Sequence, residues 1–122
     1  MISLSGLAPQ VRRAAAYALQ YARAENIPVR VTSTRRTLKD QRDLYRNYLA
    51  GRSQYPASPP GYSAHEYGLA FDSVVPAAFQ SRWNEIRRAI GFEVPNIDII
   101  HAQVPGWQDI VRGRRVRSSR RR

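Results

Sequence analysis

The sequence predicts an α+β domain in which helices pack against a small, mostly antiparallel sheet. Three segments have the hydrophobic spacing of amphipathic helices, and three shorter segments have the alternation or the residue types of strands. A helical segment separates each strand-like segment from the next, an order that is typical of α+β domains. With 122 residues and 43% hydrophobic content, the chain has the size and composition of one compact domain with one core.

The first part of the chain predicts a helix followed by a strand. Between Leu7 and Ala24, apolar residues recur at helical spacing while the arginines occupy other positions. The apolar residues of this face are Val11, Ala15, Ala18, Leu19 and Ala22. Residues 27–34, "IPVRVTST", then alternate apolar and polar side chains, which is the pattern of a half-buried strand.

A second helix is predicted from Thr37 to Gly51. Thr37 and Asp40 have the spacing of a capping box, and the glycine marks the end of the helix. Its repeated apolar residues are Leu38, Leu44, Tyr45, Tyr48 and Leu49. The following residues 52–64 are rich in proline, serine and glycine, and they predict a loop.

The remainder predicts two more strands with a third helix between them. Residues 68–75, "GLAFDSVV", have the composition of a strand. Pro76 begins a helix that stops at Gly91, with an apolar face formed by Phe79, Trp83, Ile86 and Ile90. Residues 96–104 alternate like a strand, and residues 105–107 begin a short closing segment.

The positive charge of the chain is concentrated at its C-terminus. The net charge is +11, and residues 112–122 contain seven of the twenty basic residues and no acid, which leaves +4 for the body. We therefore predict a single domain over residues 1–111, followed by a disordered arginine-rich tail over residues 112–122. Such a tail could bind nucleic acid, attach to an anionic envelope surface or act only as a solubilising end.

The absence of cysteine limits the kinds of site that the chain can build. It excludes disulfides and thiolate metal sites, so a bound metal ion would need histidine and carboxylate ligands. No apolar run approaches the ~20 residues of a membrane helix, and the N-terminus lacks the features of a signal peptide. We therefore expect synthesis in the cytoplasm without a leader.

The two histidines, His65 and His101, each lie close to an aspartate in the sequence. Seven residues of straight strand would span ~23 Å, so His65 and Asp72 can share an ion only if the chain folds back, which Gly68 would allow through a positive φ. Asp98 and His101 would point to opposite faces of a regular strand, so a shared site requires a bulge or turn. Taken singly, these residues are more often structural, because a lone histidine near a strand is seldom a ligand, Asp72 could cap a turn, and Asp98 could pair with one of the many arginines.

Residues 63–72, "SAHEYGLAFD", resemble the SxHxxGxAxD signature of the M15 peptidases. These zinc peptidases have the Hedgehog/DD-peptidase fold and act on bacterial peptidoglycan stem peptides. The fixed positions of the signature are all met, by Ser63, His65, Gly68, Ala70 and Asp72. The segments "VTSTRRTLKDQRDLY" and "DIIH" are similar to the strand-to-helix and acid-x-x-His segments of the family, so the resemblance extends over residues 29–103.

The resemblance implies a role for each of five residues. The zinc ligands would be His65, Asp72 and His101, with Asp98 as the general base, and Arg36 would lie near the scissile carbonyl and bind substrate. Ser63, two residues before His65, could orient the site or bind substrate, or it could serve only in a turn. Two histidines and one aspartate leave the fourth position of a tetrahedral zinc ion open for water, as in catalytic sites.

Two departures from the family pattern affect the substrate pocket. The family usually has an aromatic residue before its arginine, whereas this chain has Arg35, so either Arg35 or Arg36 could face the site. Only six residues, 92–97, separate Gly91 from Asp98, and a Trp-Gly-Gly-like piece of the family is missing there. The wall of the pocket that this segment forms is therefore expected to be reduced.

The sequence thus predicts a monomeric, zinc-dependent peptidase that hydrolyses peptidoglycan stem peptides at the bacterial cell wall, as a phage endolysin would. Cleavage could occur as an L-Ala-D-Glu endopeptidase or as a D-Ala-D-Ala carboxypeptidase. One alternative is a nucleic-acid-binding protein that uses the arginine tail and carries a non-functional His/Asp pattern. Another is a wall-binding module without catalysis.

Overall fold

The part of the chain that the structure describes contains four α-helices and a three-stranded antiparallel sheet, which confirms the predicted α+β class. The structure is a computed structural model that describes the backbone of residues 2–120 and the side chains of residues 2–113. The elements in chain order are α1 (Pro9–Ala24), β1 (Arg30–Ser33), α2 (Leu38–Leu49), β2 (Ala70–Val74), α3 (Gln80–Ile90), β3 (His101–Gln103) and α4 (Trp107–Arg120).

The sheet has β2 at its centre, with β1 and β3 on either side. Val31 of β1 pairs with Ser73 of β2, but Ser33 pairs with Asp72, so one extra residue of β1 forms a bulge between them. On the other side of β2, Asp72 pairs with His101. The register therefore places these two residues next to each other at the level of the bulge.

The hydrophobic core is built around β2 and the helices α1 and α3. Alternate residues of a strand face opposite sides, so Phe71 points into the core, where its ring makes an edge contact with Phe92 at 5.2 Å, and Asp72 points away from it. The apolar face predicted for the first helix is largely buried, because Val11, Ala15, Ala18 and Ala22 all belong to the core. This packing fixes the central strand and hence the position of its polar face.

The predicted first and third helices are both present, with shorter N-terminal ends. Pro9 is the first residue of α1, a position at which a backbone N–H has no acceptor within the helix, so proline loses no hydrogen bond there. Residues 77–79 form a 3₁₀ turn before α3 begins at Gln80. The predicted helix end at Gly91 is confirmed, and the φ of 118° at this position suits glycine.

The second helix has its predicted start but little of it is buried. The Thr37 hydroxyl accepts a hydrogen bond from the Asp40 backbone, and the Asp40 carboxylate accepts one from the Thr37 backbone, which completes the capping box. Gln41 is the buried residue of α2, while Leu38 and Leu49 are more than half exposed. The apolar repeat predicted the helix correctly, but it does not form a core-facing surface.

The strand predicted over residues 96–104 is wrong for its first half. The segment before β3 forms turns, with hydrogen bonds from the Asp98 N–H to the Pro95 carbonyl and from the His101 N–H to the Asp98 carbonyl. These local bonds satisfy backbone groups that a strand would pair with a neighbour. The turn that the sequence requires for Asp98 and His101 to serve one site is present.

The helix α4 begins at the predicted closing segment. Trp107 and Val111 pack into the core, so the start of this helix belongs to the domain. The predicted boundary between residues 111 and 112 lies inside α4, but the side chains of residues 114–122 and the last two residues lie outside the described part, so this division stays a prediction. Within the described residues, no helix is both long and apolar enough to cross a bilayer.

Candidate metal centre

A short 3₁₀ turn, Ala64–Tyr67, presents His65 to the sheet. The Ser63 hydroxyl accepts a hydrogen bond from the His65 N–H, and the buried Glu66 carboxylate accepts bonds from the Ser63 and Gly61 N–H groups. These bonds satisfy donors that would otherwise be unpaired at the start of the turn. They fix the backbone on both sides of the histidine.

Gly68 ends this turn and lets the chain fold back into β2. Its φ is 70°, which confirms the predicted positive φ. A Cβ atom at this position would lie 2.9 Å from both the Ala8 nitrogen and the Gly6 oxygen, so the surrounding backbone also requires glycine. The reversal brings His65 beside Asp72, seven residues further along the chain.

The predicted ligands His65, Asp72 and His101 converge on one point. His65 Nε2 lies 3.0 Å from Asp72 Oδ1 and 3.2 Å from His101 Nδ1, and the last two atoms are 3.2 Å apart. These three form a group of potential ligands for a metal ion within the described residues. His65 is buried and His101 is partly exposed, so the point of convergence lies at the border between the core and a cleft.

The donor set fits zinc in both spacing and chemistry. Tetrahedral ligands at 2.0–2.1 Å from a zinc ion are about 3.3 Å apart, close to the observed separations. The outward nitrogens are already used, because His65 Nδ1 donates to the Thr34 carbonyl at 2.6 Å and His101 Nε2 donates to Gln103 Oε1 at 2.8 Å. In the neutral form of each ring, the remaining nitrogen therefore keeps its lone pair facing the centre, which is the arrangement that metal-binding histidines show; it donates to Asp72 only when the ring is protonated and no metal is bound.

Asp72 carries its negative charge into this centre. Burial raises the pKa of its carboxyl group, but hydrogen bonds with His101 and His65 and the charge of Arg36 outweigh burial and hold the pKa well below its usual range. Burial lowers the pKa of His101, yet its bonds to Asp72 and Gln103 raise it overall. The centre is thus arranged to hold positive charge.

Arg36, and not Arg35, faces the cleft. The Arg36 guanidinium donates to Asp72 Oδ2 at 2.9 Å and to Gln41 Oε1 at 3.4 Å, whereas Arg35 is exposed elsewhere on the surface. Since Oδ2 is taken by the arginine, Asp72 has only Oδ1 directed at the two histidines. Arg36 thereby favours binding of an ion through one carboxylate oxygen.

Asp98 lines the same cleft as the three converging residues. Burial raises the pKa of its carboxyl group above the ordinary value, while the nearby charge of His101 acts in the opposite direction and is outweighed. The cleft has a volume of about 480 Å³ and is also lined by Ser63 and by the apolar or aromatic side chains Leu44, Tyr48, Tyr55 and Ile97. Its size is typical of ligand-binding clefts.

A second groove, of about 580 Å³, lies between α1, α3 and α4. Its described lining is mainly apolar and includes no histidine or acid, so it offers no metal ligand and no group for acid–base chemistry. We therefore place the candidate site in the smaller cleft.

Three residues support the site in roles that the sequence analysis did not assign to them. Gln103 lies two residues after His101 on β3, so strand alternation could have placed both on one face. Gln41 is almost fully buried and donates to the Ser58 carbonyl at 2.8 Å, which ties the cleft-lining loop to α2. Thr34 contributes its backbone carbonyl, which accepts the hydrogen bond from His65. Every residue has such a group, so the residue type does not indicate this role.

A family model for VanY, described as D-alanyl-D-alanine carboxypeptidase, matches residues 5–91 of this chain. The match contains Arg36, Ser63, His65 and Asp72 and ends before Asp98 and His101. Among curated proteins, no sequence matches the chain significantly.

Several solved structures have the same fold. The LdcB LD-carboxypeptidase is 21% identical with a TM-score of 0.67, over 89% of this chain and 72% of that one. A zinc complex of a vancomycin-resistance D,D-pentapeptidase VanY variant is 18% identical with a TM-score of 0.65, over 87% and 76%. The L-Ala D-Glu endopeptidase ChiX of Serratia marcescens is 24% identical with a TM-score of 0.60, over 88% and 86%.

Proposed function

The chain belongs to the VanY family of D-alanyl-D-alanine carboxypeptidases, and we propose that it is a zinc-dependent peptidase that hydrolyses peptidoglycan stem peptides. The observation that carries this proposal is the convergence of His65, Asp72 and His101 in a cleft that also contains an acid. Two imidazoles and one carboxylate leave a tetrahedral zinc ion one open position, which is typical of catalytic centres.

In this proposal, Asp98 is the general base and later the general acid. When bound, zinc would lower the pKa of a coordinated water and place a positive charge near the carbonyl oxygen. Asp98 accepts the proton of the attacking water and transfers it to the leaving amine, a role for which its raised pKa suits it. Its carboxylate must be ionised at the start of the cycle.

We assign Arg36 and Ser63 to the binding of substrate. The Arg36 guanidinium, fixed by Asp72 and Gln41, directs positive charge into the cleft, where it would stabilise the developing negative charge of the scissile carbonyl. A preorganised donor of this kind contributes on the order of 3 kcal/mol. The Ser63 side chain lines the cleft beside His65 and would contact the peptide backbone.

For the bond that is cut, we favour an internal bond, such as that between L-Ala and D-Glu. A carboxypeptidase must hold a terminal carboxylate, which an unpaired lysine or arginine binds best. Among the described residues that line the cleft, Arg36 is the one arginine or lysine, and in this proposal it already serves the scissile carbonyl, so no second cation is available there for a terminal carboxylate. This supports an endopeptidase over a D-Ala-D-Ala carboxypeptidase.

The first test is zinc stoichiometry combined with product analysis. We expect one zinc ion per chain in the purified protein and none in the His65→Ala variant. Digestion of muropeptides with pentapeptide stems, followed by mass spectrometry, would identify the bond. Asp98→Asn should retain zinc and lose activity, whereas the exposed control Asp43→Asn should behave like the wild type.

These measurements also separate the alternatives. Hydrolysis that survives in Asp98→Asn would exclude the proposed base, and wall binding without hydrolysis in the wild type would favour a non-catalytic module. A nucleic-acid-binding protein with an incidental His/Asp pattern gains no support from the comparisons and predicts no stoichiometric zinc. The phage origin and the monomeric state stay predictions.

A further inference from the structure

A buried arginine on α3 contacts the segment that carries Asp98. Arg87 is fully buried, and its Nη2 donates to the Ile99 carbonyl at 2.7 Å and to Asn84 Oδ1 at 2.6 Å. Its Nη1 makes a longer bond of 3.4 Å to the Ile100 carbonyl. The two isoleucines are the residues between the proposed base and the third proposed ligand.

Stability alone does not explain why a charged side chain is buried at position 87. Burial lowers the pKa of Arg87 to about 10, so its side chain stays protonated at neutral pH. Its hydrogen-bond acceptors are two backbone carbonyls and one amide, and none of the described residues accepts a bond from its Nε. An apolar side chain of similar volume is often as stabilising as a buried charged group.

The contacts of Arg87 also link the two halves of the metal centre. The Ile100 carbonyl accepts a second hydrogen bond, at 2.9 Å, from the N–H of Ser73, the residue after Asp72. The indole of Trp83, which stacks against the Arg87 guanidinium at 5.2 Å, donates to Ser73 Oγ at 2.8 Å. Through Trp83 and Arg87, α3 therefore contacts both the central strand and the turn before β3.

The neighbouring arginine holds the other end of the same segment. Arg88 Nη2 donates to the Val94 carbonyl at 2.7 Å and to Asn96 Oδ1 at 3.0 Å. Within residues 92–97, Phe92 and Val94 are buried in the core and the Glu93 backbone pairs with Gln103, so the start of the segment is anchored by the core as well as by Arg88. Asp98 follows the turn after this anchored start.

We propose that Arg87 is a positioning residue for Asp98, with Arg88 supporting the start of the same segment. The Arg87 guanidinium fixes the Ile99 and Ile100 carbonyls, and it thereby sets the place of the carboxylate relative to His101. This inference rests on the proposed function for its catalytic meaning. The Arg87 side chain is not among the described residues that line the cleft, so it would act through the backbone of the segment.

The predicted effect is on turnover and not on metal binding. A displacement of about 1 Å in a reacting group can reduce a rate by ~100-fold. We expect kcat to fall 10- to 100-fold in Arg87→Met with KM within about threefold, because the cleft walls and the three ligand side chains remain. Arg87→Lys should restore part of the loss, since lysine can reach one carbonyl but not both.

The experiment compares Arg87→Met, Arg87→Lys and Arg88→Met with the matched control Arg82→Met. Arg82 lies on the same helix, is exposed, and pairs with Glu25 and not with the segment before β3. Zinc content, circular dichroism and Tm are measured first, and kinetics are recorded well below each Tm. Hydrogen exchange of peptides covering residues 96–103 in the metal-free protein gives a readout that is independent of activity.

Faster exchange in this segment with a reduced kcat and retained zinc would support the inference. Exchange and kcat within twofold of the wild type in a folded Arg87 variant would overturn it, while leaving the peptidase function intact. If the wild type is inactive, the proposed function fails, but the exchange data still decide whether Arg87 orders the segment. If Arg87→Met does not fold, Arg87→Lys supplies the same two outcomes, because a lysine that reaches only one carbonyl should still leave faster exchange and a reduced kcat.

Discussion

Replacement of Gln103 by leucine tests how His101, the proposed third ligand, is prepared for a metal ion. Gln103 Oε1 accepts the Nε2–H of His101 at 2.8 Å, and leucine keeps a similar volume without an acceptor. When Nδ1 binds an ion, Nε2 must carry the proton, and the His101 side chain is only 15% exposed, so water can replace the lost acceptor poorly. A buried donor left unpaired costs about 1–3 kcal/mol.

The same loss can be expressed as metal affinity. Removal of a partner behind a metal ligand typically weakens binding 10- to 100-fold, which is about 1.4–2.8 kcal/mol and agrees with the cost of the unpaired donor. We therefore expect the zinc Kd of Gln103→Leu to rise by 10- to 100-fold. Gln103→Glu should bind zinc at least as tightly as the wild type, because a carboxylate is the stronger acceptor.

The assay is competition with a chromogenic zinc chelator at pH 7.5. The control is Gln108→Leu, which removes an exposed glutamine from α4. A Kd for Gln103→Leu within twofold of the wild type would refute the reasoning, because it would mean that the hydrogen bond does not control the ligand nitrogen. Equal weakening in the control would point to a general loss of stability instead.

Three further predictions concern stability, pH and the tail. Gly68→Ala should lower the free energy of unfolding by about 2–5 kcal/mol in denaturant titrations. The positive φ of an alanine there costs about 1–2 kcal/mol, and the clash of its Cβ with residues 6–8 adds about 1–3 kcal/mol. The control Gly51→Ala, with a φ of 72° and no neighbour within 4 Å, should show only the cost of the positive φ. Burial raises the pKa of Asp98, so kcat/KM should decline on acidification at a higher pH than for an ordinary aspartate, and an acid limb at or below the ordinary aspartate pKa would contradict this. Deletion of residues 112–122 should reduce lysis of intact cells and leave cleavage of purified peptidoglycan unchanged, and loss of both activities would argue against an envelope-binding tail.

The sequence contained the residues that we propose as ligands, but it did not show which groups hold them in place. The motif spacing identified His65 and Asp72, and the need for a turn before His101 followed from strand geometry alone. The strand predicted for residues 96–100 failed because alternation of isoleucine with polar residues also occurs in turns whose backbone bonds are local. Periodicity registers side-chain types and not which backbone groups are paired, and so it could not distinguish these two structures.

Arg87 illustrates a second limit of the sequence. It lies four residues after Trp83, within the apolar face of α3, where a charged residue is ordinarily assigned to solvent. Only the tertiary structure shows that the backbone carbonyls of Ile99 and Ile100, in the turn before β3, accept hydrogen bonds from this guanidinium. By contrast, Gln103 could have been found, because residues two apart on a strand share a face.

The two sides of the cleft differ in the number of buried contacts that hold them. We therefore expect substitutions on one side to change zinc affinity and substitutions on the other to change substrate preference. The proposed ligands come from β2, β3 and a capped turn whose backbone is fixed by Glu66 and by the required glycine at position 68. The opposite wall comes from α2 and the following loop, where Gln41 is the buried contact of the helix and the apolar side chains stay exposed. Segments with few buried contacts open at lower free energy than the core. Substitutions in this wall, such as at Tyr48 or Tyr55, are therefore expected to change KM and the choice of stem peptide while zinc affinity stays constant, whereas substitutions behind the ligands change zinc affinity first.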